Sequence, residues 1–188
     1  YTLILTAVIL LILGLALPIT ASYIIAAVMT APAMIKLGVP EVAAHMFIFY
    51  YAVLSEVSPP TALSPFAAAA ITGGNPFKTT MLAWKYTLPA FIVPFMFTSS
   101  PEGIGLLFQG PIVNIIVVTL TALAGVWALS GCVGGYLMGP VGVLARVALG
   151  VSGLLLFYAG SIADLIGLVI LGLVFLLQIR RKRKSRLV

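Results

Sequence analysis

The sequence predicts an all-α membrane protein: a re-entrant helical hairpin, then a broken transmembrane helix, then additional transmembrane helices. Three observations predict it. The 188 residues are 62% hydrophobic and only 7% charged, with a mean hydropathy of +1.24 that ordinary soluble domains do not reach. Two apolar stretches are interrupted by proline within small or polar patches, at residues 14–20 and 55–61. The last apolar run leads directly into six basic residues, Arg180, Arg181, Lys182, Arg183, Lys184 and Arg186. At roughly 20 residues per crossing of a core about 30 Å thick, the chain has room for about six or seven spanning or re-entrant segments joined by short loops.

Residues 1–13 form an apolar run, short for a span, that ends in Gly14-Leu15-Ala16-Leu17-Pro18-Ile19-Thr20-Ala21-Ser22-Tyr23. A second run, residues 21–35, reaches Lys36-Leu37-Gly38-Val39-Pro40, a turn signal with a charge at its edge. The pair reads either as a re-entrant hairpin with a Gly/Pro tip or as one long helix bent at its proline. Residues 41–54 form the next helix, with Pro40 suited to a first turn and Glu41 favoured by the helix dipole. On it, Glu41, His45, Ala52, Ser55 and Glu56 recur at helical spacing, while Phe47, Tyr50, Tyr51 and Leu54 supply bulk elsewhere. The small and polar side is expected to face protein.

Pro59 and Pro60 remove two backbone donors and crowd the preceding turn, so carbonyls near residues 54–57 lose their helical partners. In hydrocarbon such backbone is tolerated only where it is buried in protein or lines a polar cavity, and discontinuous helices of this kind mark ion and substrate pathways. Residues 61–71 are alanine-rich and suited to close helix approach. Thr72-Gly73-Gly74-Asn75-Pro76 closes that half-helix, and Lys78, Trp84, Lys85 and Tyr86 give the following stretch an interfacial character. The broken helix thus covers residues 40–72, after a hairpin at 1–36, and a further helix covers 77–100 with Pro89 and Pro94 inside it. Residues 101–179 hold three more spans: 112–129 with Asn114 and Trp127 near its ends, then 141–158 and 162–179 as a hairpin turning at Ala159-Gly160-Ser161. Residues 130–140 are a glycine-rich turn, and residues 180–188 are a basic tail.

The net charge is +6, with six of ten basic residues in that tail. Directly after an apolar span, such a run is a positive-inside anchor rather than a nucleic-acid patch, which puts the C-terminus in the cytoplasm. Counting back, Lys78, Lys85 and Arg146 fall on the same side, and Lys36, Glu102 and Asp164 fall outside. The hairpin tip then enters from outside and stops near the midplane, close in depth to residues 55–61. Two breaks at one depth argue for one site. The chain begins at Tyr1 inside an apolar run, without initiator Met, charged leader or cleavage site, so an N-terminal portion is expected to be missing. The single cysteine, Cys132, excludes a disulfide framework and a multi-cysteine metal site and reads as packing.

An enzyme is disfavoured: the sequence has no paired carboxylates, no metal-ligand cluster, no nucleophile beside a base and no phosphate-cradling Gly-Lys motif. A structural membrane subunit or scaffold would gain nothing from two costly breaks. Glu56, a carboxylate at intramembrane depth, needs a role or a partner, either in cation or proton coupling or in a purely structural pairing. His45, three helical turns earlier, shares a face with Glu56 without reaching it and reads as structural.

Taken together, the stretch from Gly14 to Tyr23, Ala43-Ala44-His45, Ser58-Pro59-Pro60-Thr61-Ala62-Leu63 and Gly73-Gly74-Asn75-Pro76 resemble the large permease (M) subunit of tripartite ATP-independent periplasmic (TRAP) transporters. The closer likeness is to the fused TAXI type, strong to about residue 97 and looser beyond. The resemblance implies a C-terminal fragment of an elevator-type transporter built from two inverted repeats, with residues 1–100 as the second repeat and the N-terminal repeat as its partner. It implies sodium as coupling ion, held by backbone carbonyls and hydroxyls at Gly14, Ala16, Thr20, Ser58 and Thr61. Pro18, Pro59 and Pro60 would shape the backbone, and Glu56 would serve substrate or coupling. It further implies uptake of an organic acid across the cell inner membrane, delivered by a periplasmic substrate-binding protein, with no cofactor beyond the ion. Helix N-termini at Thr20 and Thr61 would favour the substrate carboxylate. Where the family's tip usually reads Gly-Met-Gly-Leu/Val-Pro-Thr-Thr-Ala, this chain has Ala16 for a glycine and Ile19 for a threonine, so one hydroxyl near the tip is lost.

Overall fold

A computed structural model describes residues 1–158 and 160–184, with the side chains of Ser161 and residues 181–184 outside the description. Ala159, expected in the last turn, and residues 185–188 of the basic tail, Arg186 among them, also lie outside the described residues. Every regular element described is helical, which bears out the all-α class. Helices at Ile19–Lys36, Ile112–Gly134 and Ile162–Arg180 are long and apolar enough to cross a membrane. Contacts divide the chain into two units, Tyr1–Thr98 and Ser99–Val188.

In the first unit, α1 (Thr2–Gly14) and α2 (Ile19–Lys36) are joined by a four-residue turn at 15–18. They pack on one another and both pack on α3 (Glu41–Leu54), so the segment is a hairpin and not one bent helix. At 13 residues, α1 is about 20 Å long, well short of a bilayer core. Along α3 the buried residues are Ala43, Ala44, Phe47, Ile48, Tyr51 and Ala52, recurring every four positions, with Leu54 at the C-terminal end. This corrects the expected face in part: Ala52 and Ser55 are buried as expected, but Glu41 is exposed and His45 half-buried, while two of the bulky aromatics point inward. The reason is a cluster in which Phe47 and Tyr51 meet Phe91 and Phe95, with ring centroids 4.9–6.2 Å apart and mostly edge-to-face.

α3 ends in a 3-10 turn at Ser55–Val57, followed by the Pro59-Pro60 pair, whose peptide bond is cis. Helix resumes as α4 (Leu63–Thr72), two residues later than Thr61, because Ala62 caps it from a left-handed conformation. Gly73, at φ 68°, stops α4, and the Gly74 N–H donates to the Ala69 carbonyl at 3.0 Å. Asn75 then caps α5 (Pro76–Thr87), its side chain accepting from the Lys78 N–H at 3.0 Å, with Pro76 at the first helical position. The single helix expected over 77–100 is in fact divided: a 3-10 turn at Leu88–Phe91 separates α5 from α6 (Val93–Ser99). Pro89 and Pro94 each remove a donor there, and the Phe91 carbonyl, passed over when the Phe95 N–H bonds Ile92 at 3.0 Å, accepts from the Tyr51 hydroxyl at 2.6 Å.

The second unit comprises a 3-10 stretch at Glu102–Leu107, then α7 (Ile112–Gly134), α8 (Val143–Phe157) and α9 (Ser161–Lys184). Asn114 ties the first two together, donating to the Glu102 carbonyl at 3.0 Å. α7 runs five residues past its expected end at Leu129. Its last turn is held by Arg146, whose guanidinium donates to the Cys132 and Val133 carbonyls at 2.8 and 3.3 Å. Trp127 therefore sits within the helix, edge-to-face on Phe175, rather than at its end. Ala128, Leu149, Leu156 and Leu171 form the core between the three helices. α8 and α9 approach so closely at Gly167 that the buried Ser152 hydroxyl donates to its carbonyl at 2.7 Å. Cys132 is half-buried beside this core.

Candidate functional site

The two interruptions converge within the first unit. Pro18 begins α2 as its N-cap, and its ring nitrogen leaves the Gly14 carbonyl, four residues earlier, without a helical donor. Other groups at the tip are satisfied: the Leu15 and Ala16 N–H groups donate back to Ile12 and Leu13, and the buried Ser22 hydroxyl donates to the Leu17 carbonyl at 3.2 Å. The break has the same construction. Pro60 leaves the Glu56 carbonyl without its helical donor, while the Ser55 carbonyl accepts instead from the Ser58 N–H at 3.1 Å.

Both serines of the break are buried, and both turn their hydroxyl protons back onto α3. Ser55 donates to the Ala52 carbonyl at 2.7 Å, and Ser58 to the Leu54 carbonyl at 2.8 Å. Each oxygen thus keeps its lone pairs for an acceptor role, the orientation a hard cation needs. Gly14 at the hairpin tip backs directly onto Ser55: a methyl group placed on Gly14 would overlap the serine Cβ and Oγ. Only glycine allows α1 to seat there. α1, α3, α4 and α5 all pack around the 3-10 turn.

The five residues expected to hold an ion do not share one environment. Ser58 is buried, Gly14 and Thr61 are half-buried, and Ala16 and Thr20 are exposed. Thr20 lies in the first turn of α2, where unbonded N–H groups concentrate. The second N-terminus belongs to Leu63, not to Thr61. Pro18 and Pro60 are exposed, Pro59 half-buried, and Glu56 half-buried within the 3-10 turn. Among the described residues, no group of three or more His, Cys, Asp or Glu side chains could hold a metal ion, so oxygen from backbone and hydroxyl is the donor set on offer.

Three features escaped the sequence reading. Ser55 is the residue the hairpin touches, yet only its neighbours stood out as ligands. Thr80, on α5 beside the turn, carries a hydroxyl that is buried without a partner in the structure. Tyr23 and His45 are joined by a 3.1 Å hydrogen bond between the phenol oxygen and Nδ1, and the Tyr23 ring also meets Phe49 edge-to-face. His45 is therefore a strut between α2 and α3, and a tyrosine one turn past a proline tip was the signal that could have found it.

A short helical hairpin seated on a proline-broken helix, in a chain with membrane-crossing helices, defines a multi-pass membrane component of the discontinuous-helix kind. Comparison with protein-family models matches residues 1–103 to the tripartite ATP-independent periplasmic transporter, DctM component. The chain belongs to this family; it is a transporter membrane component and not an enzyme. Searches of curated proteins and of solved structures returned no match.

Proposed function

We propose that the chain contributes to sodium-coupled uptake of an organic acid across the cell inner membrane, with a periplasmic substrate-binding protein delivering the substrate. The observation that carries the reading is the seating of Gly14 on Ser55, which brings the hairpin tip against a break whose two serine hydroxyls donate their protons back onto α3. Hard cations take oxygen donors of this type. We assign the ion to Gly14, Ser58 and Thr61 together with Ser55, with Ala16 and Thr20 nearer the exposed mouth. The N–H groups opening α2 attract the substrate carboxylate, by about 0.3–1 kcal/mol where exposed. Pro18, Pro59 and Pro60 keep the backbone open, and Glu56 is the one carboxylate of residues 55–61, placed to sense the ion. The N-terminal repeat completes the pathway.

Proteoliposomes carrying the complete protein test this. Uptake of a labelled carboxylate should require both an inward sodium gradient and the binding protein; uptake indifferent to sodium would remove the coupling assignment. Replacing Pro59→Ala with Pro60→Ala restores two N–H donors, so half-maximal uptake should need about tenfold more sodium, the effect of roughly 1.4 kcal/mol in binding. Unchanged sodium dependence in that variant would dismiss the broken turn as the ion site.

A further inference from the structure

α8 and α9 leave a groove of about 600 Å³ where they meet the α7–α8 connection, walled by Met138, Pro140, Val143, Ala148, Val174 and Leu177. The volume lies within the roughly 300–1,000 Å³ of small-ligand sites. Its rim carries one polar side chain, Gln178, whose Oε1 accepts from the Met138 N–H at 3.2 Å and ties the connection to α9. Val143 and Leu177 are exposed, so the groove opens along the outer face of the hairpin, the face a spanning helix pair turns to lipid.

Charge lies at one end only. Arg180 and Arg181 follow Leu177 by three and four residues, α9 continues to Lys184, and neither residues 130–158 nor 165–188 contain any Asp or Glu. An aliphatic slot that ends toward the exposed Arg180, on a helix with no acidic residue after Asp164, complements a lipid with an apolar tail and an anionic head. A neutral lipid would fill the slot and make no use of that charge. We propose that the groove holds one acyl chain of an anionic phospholipid, with its headgroup bound at Arg180.

The test uses the complete protein in phosphatidylcholine vesicles containing a trace of phosphatidylglycerol or phosphatidylcholine that bears a photoreactive diazirine in one acyl chain. Phosphatidylglycerol should label peptides spanning 143–148 and 174–177 about tenfold more than phosphatidylcholine. Unlabelled phosphatidylglycerol should compete to saturation. Val143→Trp, at an exposed position on the rim, should block labelling by either lipid there, and Arg180→Gln should reduce phosphatidylglycerol labelling toward the phosphatidylcholine level. Equal labelling by the two headgroups, or labelling that does not saturate in the unaltered protein, overturns the proposal and leaves only the ordinary lipid annulus.

Discussion

At Ala62 the backbone sits at φ 40° and ψ 49°, a conformation that costs a residue with a Cβ about 1–2 kcal/mol, and the residue is fully buried. Such strain persists where neighbouring structure determines it, here the restart of helix after two prolines. Ala62→Gly relieves the strain but loses a buried methyl worth about 0.8 kcal/mol and adds backbone entropy of about 0.5–1 kcal/mol. The terms offset, so thermal unfolding in detergent should change little. Ala62→Val adds a branched side chain at positive φ with no room around it, and should cost more than about 2 kcal/mol. Equal stabilities for the two variants would contradict the left-handed cap. At this scale the prolines were legible because a missing N–H is written in the residue type, whereas the strain at Ala62 was not, since alanine gives no sign of its φ. Ser55 and Ser58 were legible as polar residues at depth, but their bonds to Ala52 and Leu54 depend on rotamers.

Elements built around one break are stabilised by another. The Tyr51 hydroxyl serves the Phe91 carbonyl at the second proline interruption, while its ring packs against Phe91 and Phe95. Tyr51→Phe keeps the ring contacts and strands that carbonyl, so it should lower stability by about 1 kcal/mol in a detergent melt. A variant as stable as the parent would mean the hydroxyl is dispensable. The helical class and the range of α3 were readable from apolar runs and proline positions, whereas the run and proline pattern of residues 1–36 fitted a hairpin and a bent helix equally. The buried face of α3 was not, because in a membrane chain both lipid and protein accept Phe and Ala, and periodicity alone does not separate them. The division of residues 77–100 rests on the same signal as the first break, a pair of prolines, here Pro89 and Pro94. α7 outran its expected end because Arg146, fourteen residues beyond Cys132, caps carbonyls that the glycine-rich sequence seemed to abandon.

For the whole chain, the charge count predicts Lys78, Lys85 and Arg146 on the cytoplasmic side together with the basic tail, and Lys36, Glu102 and Asp164 on the opposite side. Single cysteines placed at Lys36 and at Lys85, with Cys132 replaced, should react with a membrane-impermeant maleimide from opposite faces of intact cells or inverted vesicles. Labelling of both from one face would reverse or refute this topology. The two units divide the chain near the end of the family match at residue 103, so family membership rests mainly on the first unit, and the second is understood from its own packing. Composition was sufficient to place the protein in a bilayer, and the charge count to bring the two interruptions to one depth; the contact of Gly14 with Ser55 was not legible, since the two are distant in sequence and joined by no complementary chemistry.

The seat of Gly14 on Ser55 also makes a genetic prediction. Because the contact is one of space and not of charge or hydrogen bonding, every replacement at position 14 should fail alike, with Gly14→Ala as damaging as Gly14→Ser despite their different polarity. Adding Ser55→Gly to Gly14→Ala should restore thermal stability in detergent by reopening that space, while the sodium dependence of uptake stays weakened because the Ser55 hydroxyl is gone. A double variant no more stable than Gly14→Ala alone would mean the two positions are not partners.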